Sequence, residues 1–552
     1  MVTDRLAELV GVALDAAVSD GVIPNGDVPT PQFERPRKRE HGDWATNVAL
    51  VVGRGAAKPR DVAQALVDRM PETDLVESID IAGPGFLNFH LSPTWLHDVV
   101  RRAADPDAAF GRSTEGAGTK INLEYVSANP TGPVNVVTGR HAAIGDAVGN
   151  LLEAVGYDLT RECYFNDAGR QVTLFGASVA ARYLELHDVA AQIPDEGYRG
   201  EYIIDLAREI KEDVGERYVN MDDDERTRVF MDLGLARMIE AIKQTLTRFG
   251  TDFDVFFSEA TLHESGALKA AIEKLREHGH IEDREGAVWF LSTRFGDDKD
   301  RVVIRANGEP TYFAADIAYV EDKFARGFDR LIYQWGADHH GTVPRFLAVV
   351  EALGHDRATV EIPLVQIVRL VQGGAAVKGS KRAGIITLLD GLLDEVGKDA
   401  VRYTFLTRSI DAPLDFDIEL AKEQAPENPV YYVQYAHARI CSILRRAESE
   451  GIGVAPGAAP LQTLHHESED ALMRKIASYE EVVPEAARFR APQRITRYVE
   501  ELASTFSAFY RDCKVMTDDA ELTQARLALC VATKAVIADG LGLLGVSAPE
   551  RM

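Results

Sequence analysis

Apolar positions Leu6, Leu9, Val10, Ala13, Leu14 and Ala17 recur at helical spacing. They predict an opening helix that stops at Gly21. A basic and polar stretch, Phe33–Asn47, follows a Pro-rich turn, and Gly83-Pro84-Gly85 then introduces an alternating strand, FLNFHLS. Residues 104–119 are rich in Ala, Asp, Gly and Thr and read as a linker. Beyond it the pattern changes. INLEYVS is a short strand with Ile121, Leu123 and Tyr125 on one face, and ANPTGP is a turn. Ile144, Ala147, Val148, Leu151, Leu152 and Val155 mark one face of a helix ending at Gly156, and LTRECYF (Leu159–Phe165) is the next strand. This βαβ unit favours a parallel, doubly wound sheet. Residues 186–235 are polar and acidic and read as a helical insertion. The βα style returns in RVVIRANGEPTYFAADIAY and RLIYQWGADHHG, and beyond about residue 420 the chain reads as almost entirely helical. The expected class is α/β multi-domain: a Rossmann-like parallel-sheet domain, an α+β N-terminal domain and an all-α C-terminal bundle.

Composition narrows the setting. At roughly 100–200 residues per domain, 552 residues suggest three or four domains. No run of about 18 apolar residues exists to cross a membrane. Asp4, Glu8 and Asp15 interrupt the first helix, so it is no signal peptide and a cytosolic protein is expected. Cys163, Cys441, Cys513 and Cys530 form no CxxC pair, so they read as reduced, mostly buried thiols and not a zinc knuckle or disulfide framework. Asp plus Glu number 87 against 61 Lys plus Arg, a net charge of −26. A nucleic-acid binder is usually basic, at least locally. Any such contact here needs local Arg and Lys clusters within an acidic envelope of the kind halophilic proteins carry.

P-loop and dinucleotide-binding motifs are absent. Ligands of doubly wound sheets bind at the carboxyl ends of strands, and a helix N-terminus there offers free N–H groups to phosphate. The turn Asn129-Pro130-Thr131-Gly132-Pro133 occupies that place. Alone, it reads equally as a tight βα loop or as a nucleotide contact. VKGSKRAG (Val377–Gly384) alone is usually just a solvated loop. Two adjacent histidines, His339 and His340, lack a third ligand at metal spacing, so no metal site is expected.

Together, in order and separated by βα units, EYVSANPTGPVNVVTGRHAAIGD and VKGSKRAG resemble the two ATP-handling signatures of the arginyl-tRNA synthetase family, members of class I. HGDWATNVAL, GPGFLNFHLS, YFNDAGRQ, WGADHHG, NPVYYVQYAHARICSI and LLGVSAPERM extend the resemblance over essentially the whole chain. It implies an N-terminal additional domain contacting tRNA (1–105), a catalytic domain (118–385), a connecting stem-contact region (386–426) and a helical anticodon-binding domain (427–552). It implies ATP-dependent activation of arginine, with Mg²⁺ on the ATP, transfer to the terminal adenosine of tRNA(Arg), and a monomer without a tightly bound cofactor. Arginine's guanidinium suits carboxylates held on rigid elements. By position these are Glu124 and Asp316, with Tyr312 beside them and Asn129 at the amino or carboxylate end. Pro130, Thr131, Gly132, Gly336, Asp338, His339 and His340 fall on the ATP side, and Lys378, Ser380 and Lys381 on the phosphate loop. Asn47, Tyr431, Tyr435 and Arg439 are candidate tRNA contacts, although Tyr431 and Tyr435 at helical spacing suit a core equally well.

One segment departs from the family. Where its first signature carries His-x-Gly-His, this chain has Asn135-Val136-Val137-Thr138. Asn135 and Thr138 are then the candidate hydrogen-bond donors, and neither can carry a positive charge. The second reading this leaves is a tRNA-binding relative without adenylate chemistry.

Overall fold

In the computed structural model, residues 2–24, 29–36, 38–52, 58–377 and 387–552 are described, and Lys378, Ser380 and Lys381 lie outside them. The chain forms two compact units. The larger comprises Arg112–Ala438, Val482–Glu501 and Ile537–Met552, and the smaller Met1–Gly111, Arg439–Glu481 and Leu502–Val536.

The larger unit is built on five strands: β1 (Lys120–Glu124), β2 (Asp158–Phe165), β3 (Val255–Ser258), β4 (Arg330–Tyr333) and β5 (Val360–Glu361). Their order across the sheet is β5-β4-β1-β2-β3, every pairing parallel, with Glu124 opposite Glu162 on one side and Tyr333 on the other. The chain leaves β1 towards β2 and later returns to β1's other edge as β4. Between β1 and β4 lies the topological switch point, where ligands of such sheets bind. Ile121 to Glu124 are all buried, as expected for a parallel sheet covered on both faces, so the one-sided face expected for this strand is not observed. RVVI (Arg301–Ile304) does not join this sheet either. It pairs antiparallel with Ala287–Phe290 in a local three-stranded sheet, because its partner lies next to it in sequence.

Helix α1 (Val136–Ala154) follows β1, and α2 (Arg170–Glu185) follows β2. The acidic insertion holds α3 (Glu201–Val214) and α4 (Asp223–Phe249), capped by Asp222 and closed by Gly250 at φ 75°. Its second helix thus runs past the expected limit at 235. Helix α5 (Tyr312–Ala325) lies between β3 and β4 in the chain. Two buried arginines tie α1 to its surroundings. Arg140 donates to the carbonyls of Gln366, Ile367, Ser409 and Ala412 at 2.7–3.2 Å. Arg402 binds Asp146 and the carbonyls of Phe249, Gly250 and Leu544. Each cation thereby satisfies peptide carbonyls from two separate chain segments, which fixes the signature helix against the rest of the unit.

Close packing of α1 on the sheet depends on Gly145, where an added Cβ would lie 2.2 Å from the Tyr125 ring. Tyr125 is fully buried and cannot yield. Gly145→Ala is therefore expected to lose about 1–3 kcal/mol in urea unfolding, the range of core overpacking, despite alanine's better helix propensity.

The smaller unit has the helix Val2–Ser19, which buries Leu6, Val10, Ala13, Leu14 and Ala17 as its periodicity predicts. A four-stranded antiparallel sheet follows, in the order Phe33–Glu34, Trp44–Thr46, Phe86–Leu91, Val76–Ala82. Gly85 closes the hairpin between the last two strands at φ 141°. Helix Thr94–Ala104 packs on helix Glu467–Ala477. All four cysteines are buried and outside any disulfide, as expected. No helix among the described residues is long and apolar enough to cross a membrane.

Candidate active site

The carboxyl ends of β1, β2 and β4 and the N-termini of α1 and α5 surround a cavity of about 520 Å³. Its wall includes Glu124, Asn129, Thr138, Tyr312, Asp316, Gly336, Asp338 and His339, so eight of the expected site residues meet at the switch point. Pro130, Thr131, Gly132, Asn135 and His340 are not part of the wall. Thr131 is buried and its carbonyl accepts from the Tyr202 hydroxyl at 2.9 Å, so that part of the turn is spent on holding the insertion helix α3.

The backbone leading into the site is constrained. Val126, two residues after the end of β1, has φ 72°, an unfavourable value for a β-branched residue. Beyond it, Ala128 N–H donates to the Tyr164 carbonyl at 3.0 Å, so Asn129 is carried on a loop clamped to β2. Asn135 caps α1: its Oδ1 accepts from Thr138 N–H at 2.9 Å and from the Thr138 hydroxyl at 3.3 Å. The same turn holds the chain entering after the lysine loop, since Val136 N–H donates to Thr387 O and Leu389 N–H to Val134 O. On the loop's other side, Val377 N–H donates to Leu370 O within the strand Val368–Gln372.

The carboxylates differ in their surroundings. Glu124 is 3% exposed and both its oxygens are engaged, Oε1 by the Ser127 hydroxyl and Oε2 by the Lys323 ammonium, each at 2.6 Å. Lys323 is fully buried, 4.0 Å from the Tyr333 ring centroid, and also lies 3.6 Å from Glu162. Glu162 in turn accepts from Arg326, Tyr319 and Asn122. Burial pushes the Glu162 carboxyl up, and Lys323, Arg326 and Tyr319 outweigh it and hold the group below its usual range. Under the cavity floor, two carboxylates and two cations therefore balance.

Asp316 is different. Among the described residues nothing hydrogen-bonds its carboxylate. Burial, reinforced by the Glu259 and Glu124 charges and opposed by Arg345, pushes it up to about 7. Glu259, 4% exposed at the start of the helix Glu259–Glu264, lines the same cavity beside the Tyr164 hydroxyl. Its carboxyl is also raised, mainly by burial. Two carboxylates share the pocket, with Arg345 near Asp316 and the His263 ring 3.5 Å from Glu259, so an entering cation is favoured there.

Glu259, Tyr164, Gln334, Arg345 and Lys323 were not singled out from sequence. For Glu259 a signal exists: the Ser-Glu pair stands at the carboxyl end of β3, where a doubly wound sheet places ligand contacts. Lys323 carries none, because it meets Glu124 from 199 residues away.

Elsewhere, Tyr431 and Tyr435 stack with ring centroids 6.0 Å apart on the helix Pro429–Ser449, with Tyr435 42% exposed. In the smaller unit, Arg439 lies over the Tyr510 ring at 5.4 Å, and Asn47 is exposed just before the helix Val48–Val52.

The five-stranded 3-2-1-4-5 sheet with an acidic pocket at its switch point belongs to a class I tRNA synthetase catalytic domain, as the family match shows. Residues 108–406 match the model of the tRNA synthetases class I (R) catalytic domain, residues 4–91 the arginyl tRNA synthetase N-terminal domain, and residues 433–552 the DALR anticodon binding domain. The chain is 46% identical over 550 residues to the arginine–tRNA ligase of Desulfitobacterium hafniense (99% of this chain, 98% of the relative). It is 45% identical over 554 residues to that of Heliobacterium modesticaldum (99% and 98%). In fold it matches the Thermus thermophilus arginyl-tRNA synthetase structure with a TM-score of 0.77, covering all of both chains at 22% identity. The chain belongs to the arginyl-tRNA synthetase family.

Proposed function

We propose that this chain activates arginine with MgATP at the β1–β4 switch point and transfers it to the terminal adenosine of tRNA(Arg). The arginine carboxylate attacks the α-phosphorus, the bond to the β-phosphate breaks, and pyrophosphate leaves; a ribose hydroxyl of tRNA then attacks the acyl carbon and releases AMP. The observation that carries this reading is the Asp316–Glu259 pair, two carboxylates raised by burial that face one cavity of about 520 Å³. A bidentate guanidinium satisfies them better than a point-charge ammonium. Tyr312 flanks the side chain, and Asn129 and Glu124 lie at the α-amino end, with Glu124 held by Lys323 and Ser127.

ATP lies on the Thr138, Gly336, Asp338 and His339 side, its phosphates towards the N-terminus of α1. Lys378 and Lys381, with Ser380, neutralise the β- and γ-phosphates; anchoring of both flanks of their loop, one of them on the turn that carries Asn135, supports this. In this reading 1–105 and 427–552 contact tRNA, 118–385 carries the chemistry and 386–426 connects. Tyr435 and Arg439 suit stacking on unpaired anticodon bases. The protein acts as a cytosolic monomer. The reading as a non-catalytic tRNA-binding relative finds no support, because the replaced histidines leave the arginine pocket and its electrostatics intact.

Arginine-dependent ATP–pyrophosphate exchange, run with and without tRNA, tests the activation step. Exchange with arginine but not lysine is expected; exchange with neither amino acid in both conditions would sink it.

A further inference from the structure

We propose that Val126 is a positioning residue for arginine: its backbone forms a one-residue bulge that turns Asn129 onto the same cavity wall as Glu124. This rests on the reading of the cavity as the arginine site, with Asn129 and Glu124 at the α-amino end.

The register between β1 and β2 carries the bulge. Glu124 pairs with Glu162 and Ala128 bridges to Phe165, so the four steps from Glu124 to Ala128 match three from Glu162 to Phe165. The backbone bonds agree: Tyr125 N–H donates to Glu162 O at 3.2 Å and Ala128 N–H to Tyr164 O at 3.0 Å. One residue between them is extra, and Val126 is the one with φ 72°. An extra residue in the left-handed region is a β-bulge, a feature that re-aims side chains beside active sites. Glycine takes that conformation freely, whereas a β-branched side chain is strained in it. Pairing to β2 on both sides holds the strained valine in place.

The bulge changes which residues share a face. Side chains alternate along a strand, so residues three apart point to opposite sides. Here Ser127 Oγ donates to Glu124 Oε1 at 2.6 Å although the two are three residues apart. Asn129, two residues beyond Ser127 and kept extended by Pro130, therefore shares the side of Glu124, and all three line the cavity. Without the extra residue Ala128 would take that side and Asn129 would face away, since a one-residue slip moves every later side chain to the other face. The bulge thus places an anchored carboxylate next to an amide that both donates and accepts. Those are the groups that the ammonium and carboxylate of an α-amino acid need side by side.

The experiment measures arginine-dependent ATP–pyrophosphate exchange, with tRNA(Arg) present, on full-length Val126→Gly and Val126→Pro, each with and without Asn129→Ala. Glycine adopts the bulge, whereas proline, locked at a φ of about −65°, cannot. Val126→Gly should keep kcat/KM for arginine within about tenfold of the wild type. Val126→Pro should lower it about 100-fold, the effect of a misplaced positioning group, with the KM for ATP within about threefold. Asn129→Ala should raise the arginine KM about tenfold or more in the wild type and in Val126→Gly, and add nothing in Val126→Pro. Where Val126→Pro does not fold, deletion of Val126 takes its place; where neither folds, the Val126→Gly result decides alone. An Asn129→Ala effect as large in Val126→Pro as in the wild type, or a Val126→Gly loss beyond about tenfold, would overturn the assignment. A wild-type protein without exchange, or one that Asn129→Ala leaves unchanged, would overturn the parent reading, and the role of Val126 with it.

Discussion

Asp316→Asn is expected to lower kcat/KM for arginine about 1000-fold, the consequence of losing one partner from a buried, hydrogen-bonded charge pair worth roughly 4 kcal/mol. The amide keeps the shape of the carboxylate, so the change removes charge and acceptor capacity and leaves packing intact. The wild-type residue should also announce itself through protons. Its carboxyl is pushed up to about 7 by burial first, then by Glu259 and Glu124. At pH 6 the free protein therefore holds a proton there, which an entering guanidinium must displace. Arginine binding at pH 6 should release a proton, seen by calorimetry in buffers of different ionisation enthalpy, and the KM for arginine should fall as pH rises from 6 to 8. The sign for stability runs the other way. A carboxyl whose folded pKa lies above its unfolded value costs stability as pH rises from about 4 to about 7, and arginine should restore it. Asp316→Asn should abolish both effects. A variant that still binds arginine tightly, with unchanged proton release, would remove Asp316 from the pocket.

The second large effect is on folding. Lys323→Met is expected to destabilise the protein by about 3–5 kcal/mol in urea unfolding, because two buried carboxylates lose their shared cation. Lys323 is fully buried, 2.6 Å from Glu124 and 3.6 Å from Glu162, with aromatic rings of Tyr319 and Tyr333 at 4.4 and 4.0 Å. Arg326 remains to compensate Glu162, so Glu124 is the stranded group. Adding Glu124→Gln to Lys323→Met should then recover a substantial part of the stability while arginine activation stays low. A double variant no more stable than Lys323→Met would show that the pair is not what the lysine stabilises.

The contrast between these residues shows what can be read from sequence. Strands β1, β2 and β4 and helix α1 announce themselves, because a parallel sheet imposes apolar runs and its crossover helix a 3.6-residue period. RVVI at 301–304 carries the same local alternation, yet pairs antiparallel with its neighbour. Alternation reports burial of a face and says nothing about the partner strand. At the site, Glu124 and Asp316 were legible through their neighbours in the signature segments. What each does was not. Glu124 has both oxygens engaged, one by a lysine far away in sequence, whereas Asp316 faces the cavity with no hydrogen bond from the described residues; only the folded chain separates them. Asn135 shows the same limit. As a substitute for a histidine it reads as a phosphate donor; the structure adds that its oxygen caps α1, so only the amide nitrogen remains for that role. The acidic surplus likewise gave no warning that the cavity at the switch point would be acidic for its own reason.

The most direct test of the function is charging itself: purified full-length protein, unfractionated tRNA, MgATP and radiolabelled amino acids supplied one at a time. Arginine should become acid-precipitable with tRNA, in proportion to the tRNA(Arg) present, with AMP and pyrophosphate as products. Failure to charge tRNA with arginine across low and high salt, or charging with lysine as readily as with arginine, would contradict the account.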